Sequence, residues 1–226
     1  MRLGAPWNEC TLLYREYTVD HCTELCNNFC MGRKYELKRR AERQDQTRQR
    51  IVDATIALHT TVGPARTTIS AIAERAGVQR HTVYSHFPDE RALGLACSGC
   101  YSERHPLPDG SAWRTIADPA RRLRRGFTEL YGYYAERGED LAPILHDMDS
   151  HALTRELVEL RIRPSLERIR DTLAEPFRSR GARRARLIAA LDLFLNLHTW
   201  RTLSRTMTVE ESVETAVRAV RAQIER

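Results

Sequence analysis

Hydrophobic positions recur every three or four residues along almost the whole chain, and sustained alternation of the strand type is rare. That periodicity predicts an all-α protein. A helix starting at Thr47 and running to about Thr61 would carry Ile51, Ala54, Thr55, Leu58 and Val62 on one face, with Gly63-Pro64 stopping it. Thr67 or Thr68 then caps a short helix over Ile69 to Arg75, Ala76-Gly77-Val78 makes a tight turn, and a third helix covers Gln79 to His86. Phe87-Pro88-Asp89 ends it and caps a fourth, from about Glu90 to Glu103. The Pro- and Gly-containing stretch His105 to Ser111 reads as a linker. Longer helices follow: about Pro119 to Arg137, Asp140 to Asp149, Ser150 to Ser179 with a break or bend at Pro164, Ala182 to Ser204, and Val209 to Ile224.

The stretch Thr67 to Phe87 has the form of a helix-turn-helix, two short helices joined by a three-residue turn containing glycine. Ile72, Ala73, Val78, Val83 and Phe87 each have a packing role, and Gly77 would supply the positive φ that the turn needs. Gln79, Arg80, His81, Thr82, Ser85 and His86 are left on the outer face of the second helix, and none is acidic. In a major groove Arg pairs with guanine and Gln with adenine, while Tyr84 and His86 can reach phosphate oxygens. The capped start near Thr67 and Thr68 offers free N–H groups to a further phosphate. An ordinary α-hairpin with a polar outer face would look the same.

At 226 residues, 42% hydrophobic and 29% charged, the chain can bury a core without staples. No apolar run approaches a membrane span, and the acidic and basic residues of the first thirty positions break any signal-type stretch. The expectation is a soluble, cytoplasmic protein. The net charge of +6 is concentrated: Arg33 to Arg50 holds eight basic and three acidic residues. Lys38, Arg39 and Arg40 in that run are candidate phosphate contacts, with a solvated tail as the alternative.

From Thr47 to Ala96 the sequence closely resembles the DNA-binding domain of the TetR family of transcriptional regulators. The matching elements are Thr47-Arg-x-Arg-Ile-Val-Asp-Ala, Thr67-Thr-Ile-x-x-Ile-Ala-x-x-Ala-Gly-Val, Thr82-Val-Tyr-x-His-Phe-Pro and Arg91-Ala-Leu. The resemblance implies a three-helix DNA-binding domain followed by a helical bundle for ligand binding and dimerisation. It implies a homodimer on a palindromic double-stranded operator, usually a repressor, released by a small-molecule effector. By position, Thr68, Tyr84 and His86 would touch phosphate, and Gln79, Arg80, His81 and Thr82 would read bases. Where many relatives carry a phosphate-binding lysine after Phe-Pro, this chain has Glu90, followed by Arg91 as the substitute. The division expected is 1–45 as extension and basic arm, 46–104 as DNA-binding domain, 105–118 as linker and 119–226 as effector and dimerisation domain.

The C-terminal half holds no His-Glu-x-x-His, glycine-rich phosphate loop or Gly-x-Ser-x-Gly. Trp113, Tyr131, Tyr133, Tyr134, His146, Met148, Phe194, His198 and Trp200 could instead line a pocket or simply fill the core. Tyr131, Tyr134 and His146 are the candidate effector contacts. Leu187, Leu191, Phe194, Leu195, Leu197 and Trp200 give the segment Ala182 to Ser204 apolar surface on more than one side, so Leu195 and Trp200 are expected at the dimer interface.

Two rival readings use other residues. Cys22, Cys26 and Cys30, with Cys10 or His21, could hold a metal or iron–sulfur cluster, and Cys97-Ser-Gly-Cys100 with His105 could act in redox or metal sensing. The first spacing matches no standard Cys-x-x-Cys pattern, and the second is a lone Cys-x-x-Cys inside a predicted helix, where cysteine is usually a small buried apolar residue, so no metal and no cofactor is expected. An enzyme with an aromatic-lined active site is the other alternative; the absence of paired acids or a nucleophile–base set argues against it. Residues 1–30 fit nothing in the family, and Met31 reads as a natural start, with a sensory extension over 1–30 as the alternative.

Overall fold

The computed structural model describes residues 19–224, with side chains described for Glu36 and from Lys38 onward. Those residues form ten α-helices and short 3-10 turns, with no strand among them. Helix α1 runs from Val19 to His59, so Thr47 lies inside a helix and caps nothing at its start. The cause is composition: between Gly32 and Gly63 there is no glycine or proline, and the run is rich in Arg, Lys, Glu, Gln and Ala. The chain divides into two structural units after Gln49.

From Arg50 onward, α1 is followed by α2 (Ile69–Ala76), α3 (Arg80–His86) and α4 (Glu90–Arg104). Ile51, Val52, Ile72, Ala73, Val83, Phe87 and Leu93 are all buried in one cluster that binds these helices together. Thr68 caps α2, its side chain accepting from Ala71 N at 3.2 Å, and Asp89 caps α4, accepting from Ala92 N at 2.7 Å. Gly77 has φ 64, ψ 41 and ends α2 in the left-handed conformation that the turn was expected to require.

The segment expected as a linker is pinned down. Trp113, in a 3-10 turn over Ser111–Thr115, is 1% exposed. The buried Arg122 guanidinium donates to Arg114 O (2.9 Å), Ile116 O (2.9 Å), Thr172 O (3.2 Å) and Glu175 (3.0 Å). A five-donor planar fork satisfies several carbonyls at once and ties the segment to the helix that follows in space.

Helix α5 (Pro119–Asp147) replaces the two helices expected there. Gly138 does not break it; a Cβ at that position would lie 2.9 Å from the Trp200 ring, so the glycine admits the indole against the helix. The apolar stripe continues through Tyr134 and Leu141, and keeping one helix keeps that stripe on one core. Next come α6 (Ala152–Arg161) and α7 (Arg163–Ala174), split beside Pro164 as expected. The segment Ala182 to Ser204 is two helices rather than one, α8 (Gly181–Phe194) and α9 (Leu197–Leu203). Asn196 makes the break, its side chain accepting from His198 N at 2.7 Å. Helix α10 (Val209–Ala222) opens on a capping box of Thr208 and Glu211 and packs Val213, Ala216, Val217 and Val220 into the core against α5.

Candidate nucleic-acid interface and effector cavity

Helix α3 is held from behind and open in front. Val83 (1% exposed) and Phe87 (2% exposed) sit four residues apart in the core. That anchoring leaves Gln79, Arg80, His81, Tyr84 and Ser85 exposed, with Thr82 and His86 half-buried. Tyr84 is 48% exposed, unusual for so large a ring without a contact surface. No acidic side chain lies on α3, so nothing on it repels a phosphate. Thr68 is exposed at the start of α2. Lys38, Arg39 and Arg40 are exposed along the described first unit of α1.

Arg91 is placed differently from the expectation. Its guanidinium donates to Glu156 on α6 at 2.6 and 2.9 Å rather than standing free. Glu156 could not have been found from the local motif, since sixty-five residues separate the partners.

The candidate effector residues are also redistributed. Tyr131 is fully buried, its hydroxyl donating to Phe194 O at 2.9 Å, and it lines neither cavity described below. His146 is exposed on α5 and likewise lines neither. Tyr134 borders a cavity of about 710 Å³, with its hydroxyl committed to Leu195 O at 2.6 Å. Burial pushes the phenols of Tyr131 and Tyr134 well above the usual tyrosine range, so both stay neutral. The cavity wall also includes Tyr133, Leu145, Met148, Leu166 and His198, while the Arg163–Glu159 and Arg170–Asp192 pairs border it. Met148 and His198 were among the aromatic and amphipathic residues singled out from sequence; Trp113 and Trp200 went to the core instead.

Leu195 (3% exposed) and Trp200 (9%) are buried within their own chain. The two-sided apolar pattern of this segment arises because α8 and α9 turn different faces to one core. The exposed face of α8 carries Ala182, Ala185, Ala189 and Leu193, the last 57% exposed.

Cys97 is buried, and that burial pushes its thiol up to about 12, which makes it unreactive as a nucleophile. Among the described residues no group of three or more His, Cys, Asp or Glu could hold a metal ion. Cys10, Cys22, Cys26, Cys30 and His21 lie outside the described side chains.

One contact that sequence reasoning missed joins the two halves of the second unit. The buried carboxylate of Asp147, at the end of α5, accepts from Ala65 N at 2.8 Å in the turn between α1 and α2. That turn carries on into the α2 cap through Thr67, whose hydroxyl donates to Gly63 O at 2.8 Å.

Residues 51–97 match the model of the tetR family of bacterial regulatory proteins. Those residues carry the sequence of a TetR-type DNA-binding domain. A comparison with curated proteins finds no match. Among solved structures it is similar to a protein described as a candidate fatty acid metabolism regulator from Clostridium perfringens, at 19% identity and TM-score 0.58, covering 77% of this chain and 98% of that one. It is similar to a TetR transcription regulator from Haloarcula marismortui, at 24% identity and TM-score 0.52, covering 80% and 97%. A TetR-like regulator from a Rhodococcus species matches at 16% identity and TM-score 0.53, covering 79% and 96%. These identities establish the shared fold. No described helix is long and apolar enough to cross a membrane.

Proposed function

We propose that the chain is a homodimeric repressor that binds a palindromic operator through α3 and leaves it when a small molecule occupies the large cavity. The observation that carries the DNA-binding half is the acid-free outer face of α3, held in place by Val83 and Phe87. Gln79, Arg80, His81 and Thr82 read base edges; Thr68, Tyr84 and His86 grip the backbone. Arg91 joins the backbone contacts only by exchanging Glu156 for phosphate, which an exposed ion pair permits. The basic run with Lys38, Arg39 and Arg40 adds sequence-independent attraction.

In this reading residues 46–104 recognise DNA and 119–226 bind effector and partner. The dimer face is the Ala182, Ala185, Ala189 and Leu193 side of α8 rather than Leu195 and Trp200, because only the former is exposed. Small side chains let two helices approach closely, and Leu193 supplies apolar area. The protein acts as a cytoplasmic regulator rather than an enzyme; the carboxylates Glu159 and Asp192 beside the large cavity pair with arginines. Selection of bound sequences from random DNA tests the assignment. A palindromic consensus is expected, released by one class of metabolite, and recovery of no preferred sequence overturns it.

A further inference from the structure

A second, smaller cavity of about 230 Å³ lies where α1, α2, α4 and α6 meet, all within the second structural unit. We propose that it is a ligand site distinct from the large cavity, with which it shares a wall of Tyr101, Leu141, Val158 and Ile162, and that it takes a neutral, largely hydrocarbon molecule. Its wall is aliphatic from both halves of the unit: Ile69 and Ile72 from α2, Leu93 from α4, Leu153 and Leu157 from α6. Apolar cavities of this kind hold small apolar molecules.

The polar groups on the wall are mostly spent. Thr55 donates to Ile51 O at 2.8 Å, Thr60 to Ile56 O at 3.0 Å, and Thr154 pairs with His151 at 2.7 Å. Tyr101 lines both cavities, and its hydroxyl is engaged electrostatically with Asp140 and Tyr133.

Charge is excluded from the interior. Glu90 and Arg161, the acidic and basic side chains of the lining, are exposed at its rim. Inside, burial lowers His59 to about 4 and raises Cys97 to about 12, so both are neutral at pH 7. An ion moving past that exposed rim into the aliphatic interior would lose its hydration among side chains that carry no charge. The large cavity, bordered by arginines and carboxylates, has the opposite character.

The test uses 1-hexanol, hexanoate and hexylammonium as probes on the intact protein, by calorimetry and by methyl NOEs. Hexanol is expected to bind at least ten-fold more tightly than either ion and to give NOEs to Ile72, Leu153 and Leu157. Leu157→Trp fills the small cavity and should abolish binding, whereas Met148→Trp fills the large one and should leave it unchanged. Equal binding of either ion, no binding of hexanol, or NOEs confined to Leu145 and Leu166 of the large cavity would overturn the proposal. The NOEs on the unmutated protein decide the matter even if Leu157→Trp does not fold. None of these readouts involves DNA, so failure here is distinct from failure of the repressor assignment.

Discussion

Gly63 and Asp147 are complementary in shape: a Cβ on Gly63 would stand 2.5 Å from Asp147 Oδ2. Gly63 also holds φ +91, a conformation L side chains rarely adopt. The glycine therefore lets the carboxylate reach Ala65 N, and the carboxylate fixes the turn from which α2 springs. Gly63→Ala should cost about 2 kcal/mol or more through backbone strain and the close contact. Asp147→Ala should cost roughly 1–3 kcal/mol by removing a charged acceptor, while Asp147→Asn keeps an acceptor oxygen and should recover part of it. Urea unfolding measures the stability. Operator affinity, read where every variant is folded, should fall in the same order; unchanged affinity in Asp147→Ala would show that the contact does not position α2.

The dimer face and the core are separable by neighbouring leucines. Leu193→Arg places a charge on an exposed face and should give a folded monomer by sedimentation, with weakened operator binding. Leu195→Arg buries an unpaired charge in the core and should destabilise the chain by more than about 3 kcal/mol. A folded dimer in Leu193→Arg would move the interface elsewhere.

The helix-turn-helix was legible in the sequence because its determinants are local. Thr68, Gly77, Val83 and Phe87 each act within a few residues of where they stand. The helical character of the C-terminal half was equally legible, since periodicity reports it. What stayed hidden depends on partners far along the chain. Leu195 and Trp200 look like surplus apolar surface until α9 folds back on α5, and Tyr131 looks like a pocket group until its hydroxyl meets Phe194 O sixty-three residues away. Asp147 gave no signal at all, being one acid among thirty.

His59 gives the fold a pH dependence. Desolvation, helped by nearby His151 and opposed by Asp147, lowers it from 6.5 to about 4. Between those values the unfolded chain binds the proton and the folded chain does not, so stability is lost as pH falls from about 6.5 toward 4. The size is on the order of 3 kcal/mol. His59→Gln carries no such proton, so its stability should decline less than that of the unmutated chain over this window. Parallel profiles in chemical unfolding would show that His59 is solvated in the native state.

Contacts to bases and to phosphates should separate by their salt and sequence dependence. Arg80 stands exposed in the first turn of α3, and Gln79 at its cap. Each can make a bidentate contact worth about 1–3 kcal/mol of discrimination. Arg80→Ala should therefore relax preference at particular operator positions while weak general binding survives. Replacing Lys38, Arg39 and Arg40 together should weaken binding to all sequences alike and reduce the salt slope by roughly one counterion per lost contact. The two effects come from different physics: base edges differ from pair to pair, whereas phosphates present the same charge everywhere. Titrations of operator and scrambled duplex at several salt concentrations measure both. An Arg80→Ala protein with unaltered preference would remove α3 from the groove, and an unaltered salt slope in the triple variant would leave the basic run a solvated surface.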